Sequence, residues 1–327
     1  MTVVDVHAHV IPAFALEAAD ADDLFGVRRE DGLLVHPEGF RYPVKADFAE
    51  PAAIVRRMDA GEIACTIVSL SPTMFFYDQP ASDASTFARS VNDAIAEMVA
   101  GSDGRLLGLA QLSLQDPRAA VTELRRAVLE LGMRGALIGT NVEDRPLDDP
   151  ALEPVLAAAA ELGVPLELHP YFTGVKPRLE PFYLTNSIGN PLDTCIAAAR
   201  LIHSGTLDRH PGLRLVLAHG GGFLPYQLGR LDWAFEVRPE PKAHIERRPS
   251  DYLDRFWFDT LVHGDAALAF LRSLVGPDRL VLGTDLPYDM GDPRPLARLR
   301  RSGVDPDRAG LVAQALFALP TARAHVV

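Results

Sequence analysis

Cysteine is nearly missing from this chain: only Cys65 and Cys195 occur in 327 residues. That scarcity excludes a disulfide framework and a cysteine-built metal knuckle. Both cysteines sit in apolar stretches, where buried thiols are expected. No unbroken apolar run reaches the length of a membrane span. The N-terminus has no basic start followed by an apolar segment, so no secretory signal is expected. Positive charge is also short, with 32 Lys and Arg against 44 Asp and Glu, a formal net charge of -12. Such a chain repels nucleic acid and anionic membrane surfaces, and neither is expected as a partner. An anionic substrate must therefore meet locally placed cations. A soluble, cytoplasmic protein is the expectation.

Apolar residues are plentiful. They make up 48% of the chain against 23% charged, enough to build a large core and to exclude general disorder. Short runs rich in Val, Ile and Leu recur at 3–10, 64–71, 106–114, 134–140, 165–169, 213–218, 256–261 and 280–283. Continuous rather than alternating apolar runs mark strands buried on both faces. Between them lie segments of helical period, clearest at 116–131, which opens on Asp-Pro and ends near Gly132. Segments 150–162, 191–205 and 265–275 read the same way. Alternating strands and helices imply an α/β fold with a parallel sheet. Eight units over this length predict a (β/α)8 TIM barrel spanning residues 1–327 as one domain. The competing fold is a doubly wound sheet, which would want a glycine-rich phosphate loop after its first strand. That strand is instead followed by His7-Ala8-His9 and Pro12. Two stretches break the rhythm, 11–48 and 171–190. Each follows a strand, so each is expected as a long loop insertion on the active face.

Chemistry enters at the strand ends. His7 and His9 are two apart, so in a strand both imidazoles point the same way. Alone, a His-X-His pair is a weak signal and reads more readily as two surface histidines. His169 closes the fifth run, His219 the sixth and Asp285 the eighth. In a barrel the C-terminal strand ends converge on one mouth. Five ionisable groups at that rim would be costly to bury unless used. Three imidazoles and a carboxylate suit one divalent metal ion, zinc first, with manganese, iron or cobalt also compatible.

The ordered set of paired histidines, later histidine, glycine-rich histidine turn and Gly283-Thr284-Asp285 resembles the amidohydrolase superfamily. Many of its members carry a carbamylated lysine on the fourth strand. Here 134–140 has no lysine, and Lys45, Lys176 and Lys242 are the only ones in the chain, which argues against a two-metal site. Gly39-Phe40-Arg41, Ser71-Pro72-Thr73-Met74-Phe75, Ile138-Gly139-Thr140, His219-Gly220-Gly221-Gly222 through Gly229-Arg230 and Gly283-Thr284-Asp285-Leu286-Pro287 resemble its decarboxylase branch, including the aminocarboxymuconate semialdehyde decarboxylases. The resemblance implies that His7, His9, His169 and Asp285 hold the metal and that His219 is an acid/base group beside it, with Asp285 sharing the proton traffic. It also implies that Arg41 and Arg230 bind substrate carboxylate, Arg230 reaching in from the neighbouring subunit of a homodimer. Arg230 lies eleven residues beyond His219, on the order of 15 Å along a helix, which fits a site across an interface. The chain departs from the branch at Tyr171-Phe172, at Phe182-Tyr183-Leu184-Thr185-Asn186 and at Tyr288-Asp289, positions expected to shape the pocket.

The expected function is metal-dependent, non-oxidative decarboxylation of a carboxylated unsaturated or aromatic small molecule, such as a carboxymuconate semialdehyde. The alternatives are a metal-dependent hydrolase or hydratase of the same superfamily and a non-catalytic metal- or ligand-binding relative. His263, after the seventh run, reads equally as a neighbour of the site or a rim residue. His36, His203, His210, His244 and His325 read as ordinary surface or loop histidines.

Overall fold

The computed structural model describes residues 3–171 and 176–319. Phe172 and His325 lie outside the described residues. Eight parallel strand positions close into a barrel: β1 (Val4–Val10), β2 (Cys65–Leu70), β3 (Leu106–Gly108, resumed as Ala110–Gln111), β4 (Ala136–Gly139), β5 (Pro165–His169), β6 (Arg214–Leu217), β7 (Phe256–Asp259) and β8 (Leu280–Val281). Each pairs in parallel with the next. The ring shuts where Asp5 bridges Leu282, with Val6 N donating to Leu282 O at 2.8 Å. Every residue of β1 is buried, which is why these strands read as unbroken apolar runs. The TIM barrel is therefore the fold, and the doubly wound sheet is not.

Helices cover the outside. Asp116 caps Pro117–Leu129 by accepting from the backbone N–H of Arg118 and Ala119, and the helix buries Ala120, Leu124 and Ala127. Glu153–Leu162 ends on Gly163 in the left-handed conformation, a C-terminal stop that glycine adopts without steric cost. The stretch read as 191–205 is Asn190–His203. Among the described residues no helix is long and apolar enough to cross a membrane. Both cysteines are free and half-buried rather than fully buried.

The insertion after β1 has structure of its own. It holds a helix, Ala13–Asp20, and an antiparallel sheet of Arg28–Glu30, Leu33–Val35 and Arg41–Pro43. Three-residue strands are too short to carry an alternating pattern, so the sequence reads there as loop. Val27, Leu34, Tyr42 and Phe48 are buried against the barrel. Lys45 Nζ donates to Pro287 O and to Asp289 Oδ1, both at 2.7 Å, and ties the insertion to the loop after β8.

Candidate metal centre

His7 and His9 lie on the inner face of β1, His169 ends β5, and Asp285 follows β8. One ligand atom from each lies within 4.8 Å of the others, and all four side chains are buried. His7 Nε2 and His9 Nε2 are 3.1 Å apart. Asp285 Oδ1 is 3.0 Å from His9 Nε2 and 3.7 Å from His7 Nε2. The His169 ring centroid is 5.2 Å from those of His7 and His9.

The partners of the far ring nitrogens decide which nitrogens face inward. His7 Nδ1 is 2.7 Å from Asp259 Oδ2. His169 Nδ1 is 2.9 Å from Pro170 O. His9 Nδ1 is 3.2 Å from Ser69 Oγ, whose own hydroxyl donates to Ala8 O. A carbonyl, an ionised carboxylate and a hydroxyl already donating elsewhere can only accept, so each Nδ1 carries the hydrogen. The Nε2 atoms of all three rings are left pointing at one space beside a carboxylate, with lone pairs on His9 and His169 and a third on His7 once its Nε2 proton leaves. His169 Nε2 is buried with no hydrogen-bond partner. Lone pairs facing one another repel unless a cation lies between them. The edge of a tetrahedron around an ion with ~2.1 Å bonds is roughly 3.4 Å, so the donor set fits one divalent metal ion.

Charge is arranged around this cluster. Burial pushes His9 down to about 4. Burial, then His219, holds His169 well below the usual histidine range. Both rings are therefore neutral and able to ligate. Burial also opposes a charge on His7, but Glu167 and the bond to Asp259 outweigh it and raise His7 to about 10. Asp285 stays ionised well below the usual carboxylate range: burial works against it, and the bonds from His219 and His9 win.

Three buried carboxyls beneath the cluster do not stand out in the sequence. Asp5 accepts from Thr284 Oγ1 at 2.7 Å. Asp259 accepts from the backbone N–H of His219, Gly220 and Leu261 as well as from His7. Glu167 lies 3.7 Å from His7 Nδ1, and neither of its oxygens has a hydrogen-bond partner among the described residues. A signal for them exists: a charged residue inside an otherwise apolar strand must be compensated locally.

His219 joins the cluster from the other side, its Nε2 3.6 Å from Asp285 Oδ2 and its ring 5.0 Å from that of His169. Both His219 and Asp285 have positive φ, 55° and 56°, a region non-glycine residues seldom occupy and one that clusters at functional sites. The surrounding glycines follow from crowding. A Cβ on Gly283 would come within 2.8 Å of Asp259 Cβ and 3.0 Å of His7 Cβ, and one on Gly222 within 2.1 Å of Pro191 O.

The two arginines are not part of this cluster. Arg41 is exposed beside buried Tyr42, whose side chain takes the opposite face of the strand. Arg230 is exposed on helix Leu224–Val237. Neither makes an ion pair among the described residues. His263 is exposed. His36 corrects its reading as a surface histidine: it is 3% exposed, because the antiparallel sheet folds over it.

Comparison with known proteins places the chain in context. Residues 4–308 match the amidohydrolase family. A 2-amino-3-carboxymuconate-6-semialdehyde decarboxylase of Dictyostelium discoideum is 36% identical over 244 residues, covering 74% of this chain and 68% of that protein. A gamma-resorcylate decarboxylase of Rhodococcus jostii is 32% identical, covering 72% and 76%. The solved dihydroxybenzoic acid decarboxylase of Polaromonas, with bound manganese and 2-nitroresorcinol, superposes with a TM-score of 0.79 at 25% identity and covers 100% of this chain and 99% of that one.

Proposed function

This chain belongs to the amidohydrolase family, and from that premise we propose that it is a metal-dependent, non-oxidative decarboxylase acting on a carboxylated unsaturated or aromatic small molecule. The observation that carries the reading is the convergence of three imidazole Nε2 atoms and the Asp285 carboxylate, with His219 3.6 Å from that carboxylate. The named relatives are decarboxylases of small carboxylic acids.

His7, His9, His169 and Asp285 would hold the ion. Zinc is the first assignment for that donor set, and manganese, which the Polaromonas structure holds, is the second to test. A divalent ion there supplies positive charge to polarise a substrate oxygen and offset the charge left as CO₂ departs. The remaining work falls to the side chains. Departure of CO₂ leaves an electron pair on carbon, and His219 delivers a proton to that carbon. Asp285, between His9 Nε2 and His219 Nε2, steadies the His219 ring and shares its proton. Arg41 and Arg230 grip a substrate carboxylate through their planar forks.

Arg230 does so from the neighbouring subunit of a homodimer. In support, it shares a helix face with Tyr226, Trp233 and Val237, spaced as one stripe and 81%, 68% and 54% exposed. Apolar surface of that kind asks for a cover. The whole chain is read as a single domain working in the cytoplasm, with neither nucleic acid nor membrane as partner.

Product identity tests the reading. Zinc- or manganese-loaded protein is incubated with 2,6-dihydroxybenzoate and with a carboxymuconate semialdehyde, and CO₂ and product mass are measured. The expected product lacks one carbon. A product that keeps every carbon, or gains water, would move the protein to the hydrolases or hydratases.

A further inference from the structure

Tyr288 touches two of the four proposed metal ligands. Its ring stands 5.5 Å from that of His9, edge to face, and its backbone N–H donates to Asp285 O at 3.1 Å. We propose that Tyr288 is a positioning residue: its hydroxyl, fastened to Ser71, holds His9 and Asp285 in place for the ion and joins the metal centre to the insertion. The inference rests on the metal reading of the four residues and adds to it the part that fixes them.

Asp285 needs support from outside. Its φ of 56° is a strained setting that persists only where the surroundings impose it. The turn that it opens is drawn tight. Asp292 N–H donates to Thr284 O at 2.8 Å, and Gly291 N–H to Tyr288 O at 3.0 Å. A Cβ on Gly291 would come within 2.9 Å of Asp285 O. The turn is also tied to β1, where His9 N–H donates to Leu286 O at 2.9 Å. Tyr288 adds a tie to the end of β2.

The anchor at that end is rigid. Ser71 is fully buried, and its N–H donates to Val10 O at 2.9 Å across the ends of β2 and β1. Ser71 Oγ bonds Tyr288 Oη and lies 2.7 Å from Thr73 Oγ1. Tyr42 Oη is 2.8 Å from Thr73 Oγ1 and 3.3 Å from Ser71 Oγ. A hydroxyl gives one hydrogen and accepts two. Ser71, Thr73 and Tyr42 can therefore donate to one another round a triangle while Tyr288 donates to Ser71, and every hydrogen is used. The group joins three segments: Tyr42 from the insertion, Ser71 and Thr73 after β2, and Tyr288 after β8. Tyr42 and Phe48 of the insertion also pack on the Tyr288 ring, each 5.2 Å away. One phenol thus holds a ligand ring and a ligand turn, and is itself held by β2 and the insertion. Groups fixed before a binding event lose less freedom when it occurs. Coupling is reciprocal, so a tie that strengthens metal binding is strengthened by the metal.

Tyr288→Phe keeps the ring on His9 and removes the hydroxyl; Ser71→Ala removes the other half of the bond. Zinc and manganese affinities are measured by chelator competition. Amide exchange of residues 40–48 is followed by mass spectrometry with and without zinc. Each variant should bind the ion about three- to tenfold more weakly. The double variant should bind it no more weakly than Ser71→Ala, because both changes remove the same bond. Zinc should slow exchange of 40–48 several-fold in wild type and less in Tyr288→Phe. The rise in Tm on zinc loading should shrink in the variants, whereas a purely structural hydroxyl would lower the metal-free and metal-loaded Tm alike. Wild-type affinity in both variants, or losses that add in the double variant, would overturn the proposal. Zinc protection of 40–48 that is absent in wild type, or equal in Tyr288→Phe, would overturn the link to the insertion. Wild-type protein that binds neither ion overturns the metal reading itself, and this proposal with it.

Discussion

The carboxylate of Asp259 accepts a hydrogen bond from His7 Nδ1 at 2.7 Å, and the same oxygen accepts the backbone N–H of His219 at 3.0 Å. One buried side chain therefore sets the tautomer of His7 and the position of the His219 backbone, the residues proposed as metal ligand and acid/base group. Asp259 does this as the ionised carboxylate, because the bond from His7 lowers it although burial opposes its charge. Asp259→Asn would turn an amide N–H toward His7 Nδ1 or lose the backbone bonds. Metal affinity should fall about 10- to 100-fold. A chelator-competition titration measures it, and wild-type affinity in the variant would show that the bond does not orient the ligand.

Metal uptake should release protons. In the metal-free protein His7 is raised to about 10, against burial, by Glu167 and then by the bond to Asp259. At pH 8 it holds a proton on Nε2, where the ion must bind. About one proton should leave per ion bound, and apparent affinity should rise roughly tenfold per pH unit toward pH 10. Calorimetry in two buffers of different ionisation enthalpy counts the protons. Binding with no proton release would mean that His7 is already neutral.

The site is legible in the sequence for a physical reason. Parallel barrel strands are buried on both faces, so a polar residue ending an apolar run marks the rim. His7, His9, His169 and Asp285 stand out that way, and they meet as expected. Asp259 and Glu167 escape notice because they lie inside runs whose strand character is already clear. Their use depends on His7, which is 252 residues from Asp259 in the chain, a separation that periodicity does not register. The antiparallel sheet of the insertion is invisible for a different reason. Its strands are three residues long, and its burial comes from single residues such as Leu34 and Tyr42. His36 looks like a surface histidine because its cover is supplied by that unseen sheet.

Acid stability should depend on Glu153. It accepts from Arg209 Nε at 2.9 Å, and His210 Nε2 lies 2.6 Å away. The bond from Arg209 is the main reason its carboxyl is lowered to about 2. A depressed carboxylate contributes stability above its unfolded value, and that contribution disappears as pH falls from about 4.5 through 2. With the side chain 31% exposed, solvent screening leaves on the order of 1–2 kcal/mol. Glu153→Gln should therefore melt a few degrees below wild type at pH 7, with the gap closing below pH 4.5. Denaturant melts across pH 2–7 measure this; a gap independent of pH would point to packing instead.

His219→Asn should separate metal binding from chemistry. His219 is not among the four residues whose ligand atoms converge, so metal content should stay at wild-type level. If His219 delivers the proton to carbon, kcat should drop at least about 100-fold, with KM changed little. Solvent-isotope incorporation at the carbon that lost CO₂ gives an independent readout. An active variant with normal incorporation would give the proton transfer to another group.

Arg41 and Arg230 predict a result that only a shared site can produce. Arg41→Ala and Arg230→Ala should each raise KM for the carboxylated substrate, because each removes one bidentate grip. Suppose Arg41 acts in its own subunit and Arg230 in the neighbour's. In a mixed dimer, the site on the Arg230→Ala subunit keeps its own Arg41 and receives an intact Arg230 across the interface. The other site lacks both. Random reassociation makes about half the dimers mixed, each with one restored site of two, so about one quarter of wild-type activity should return. Both arginines acting within one chain would return none. Exposure of Tyr226 and Trp233 beside Arg230 sets the control: Trp233→Glu should weaken the dimer, as read by sedimentation, and abolish the recovery.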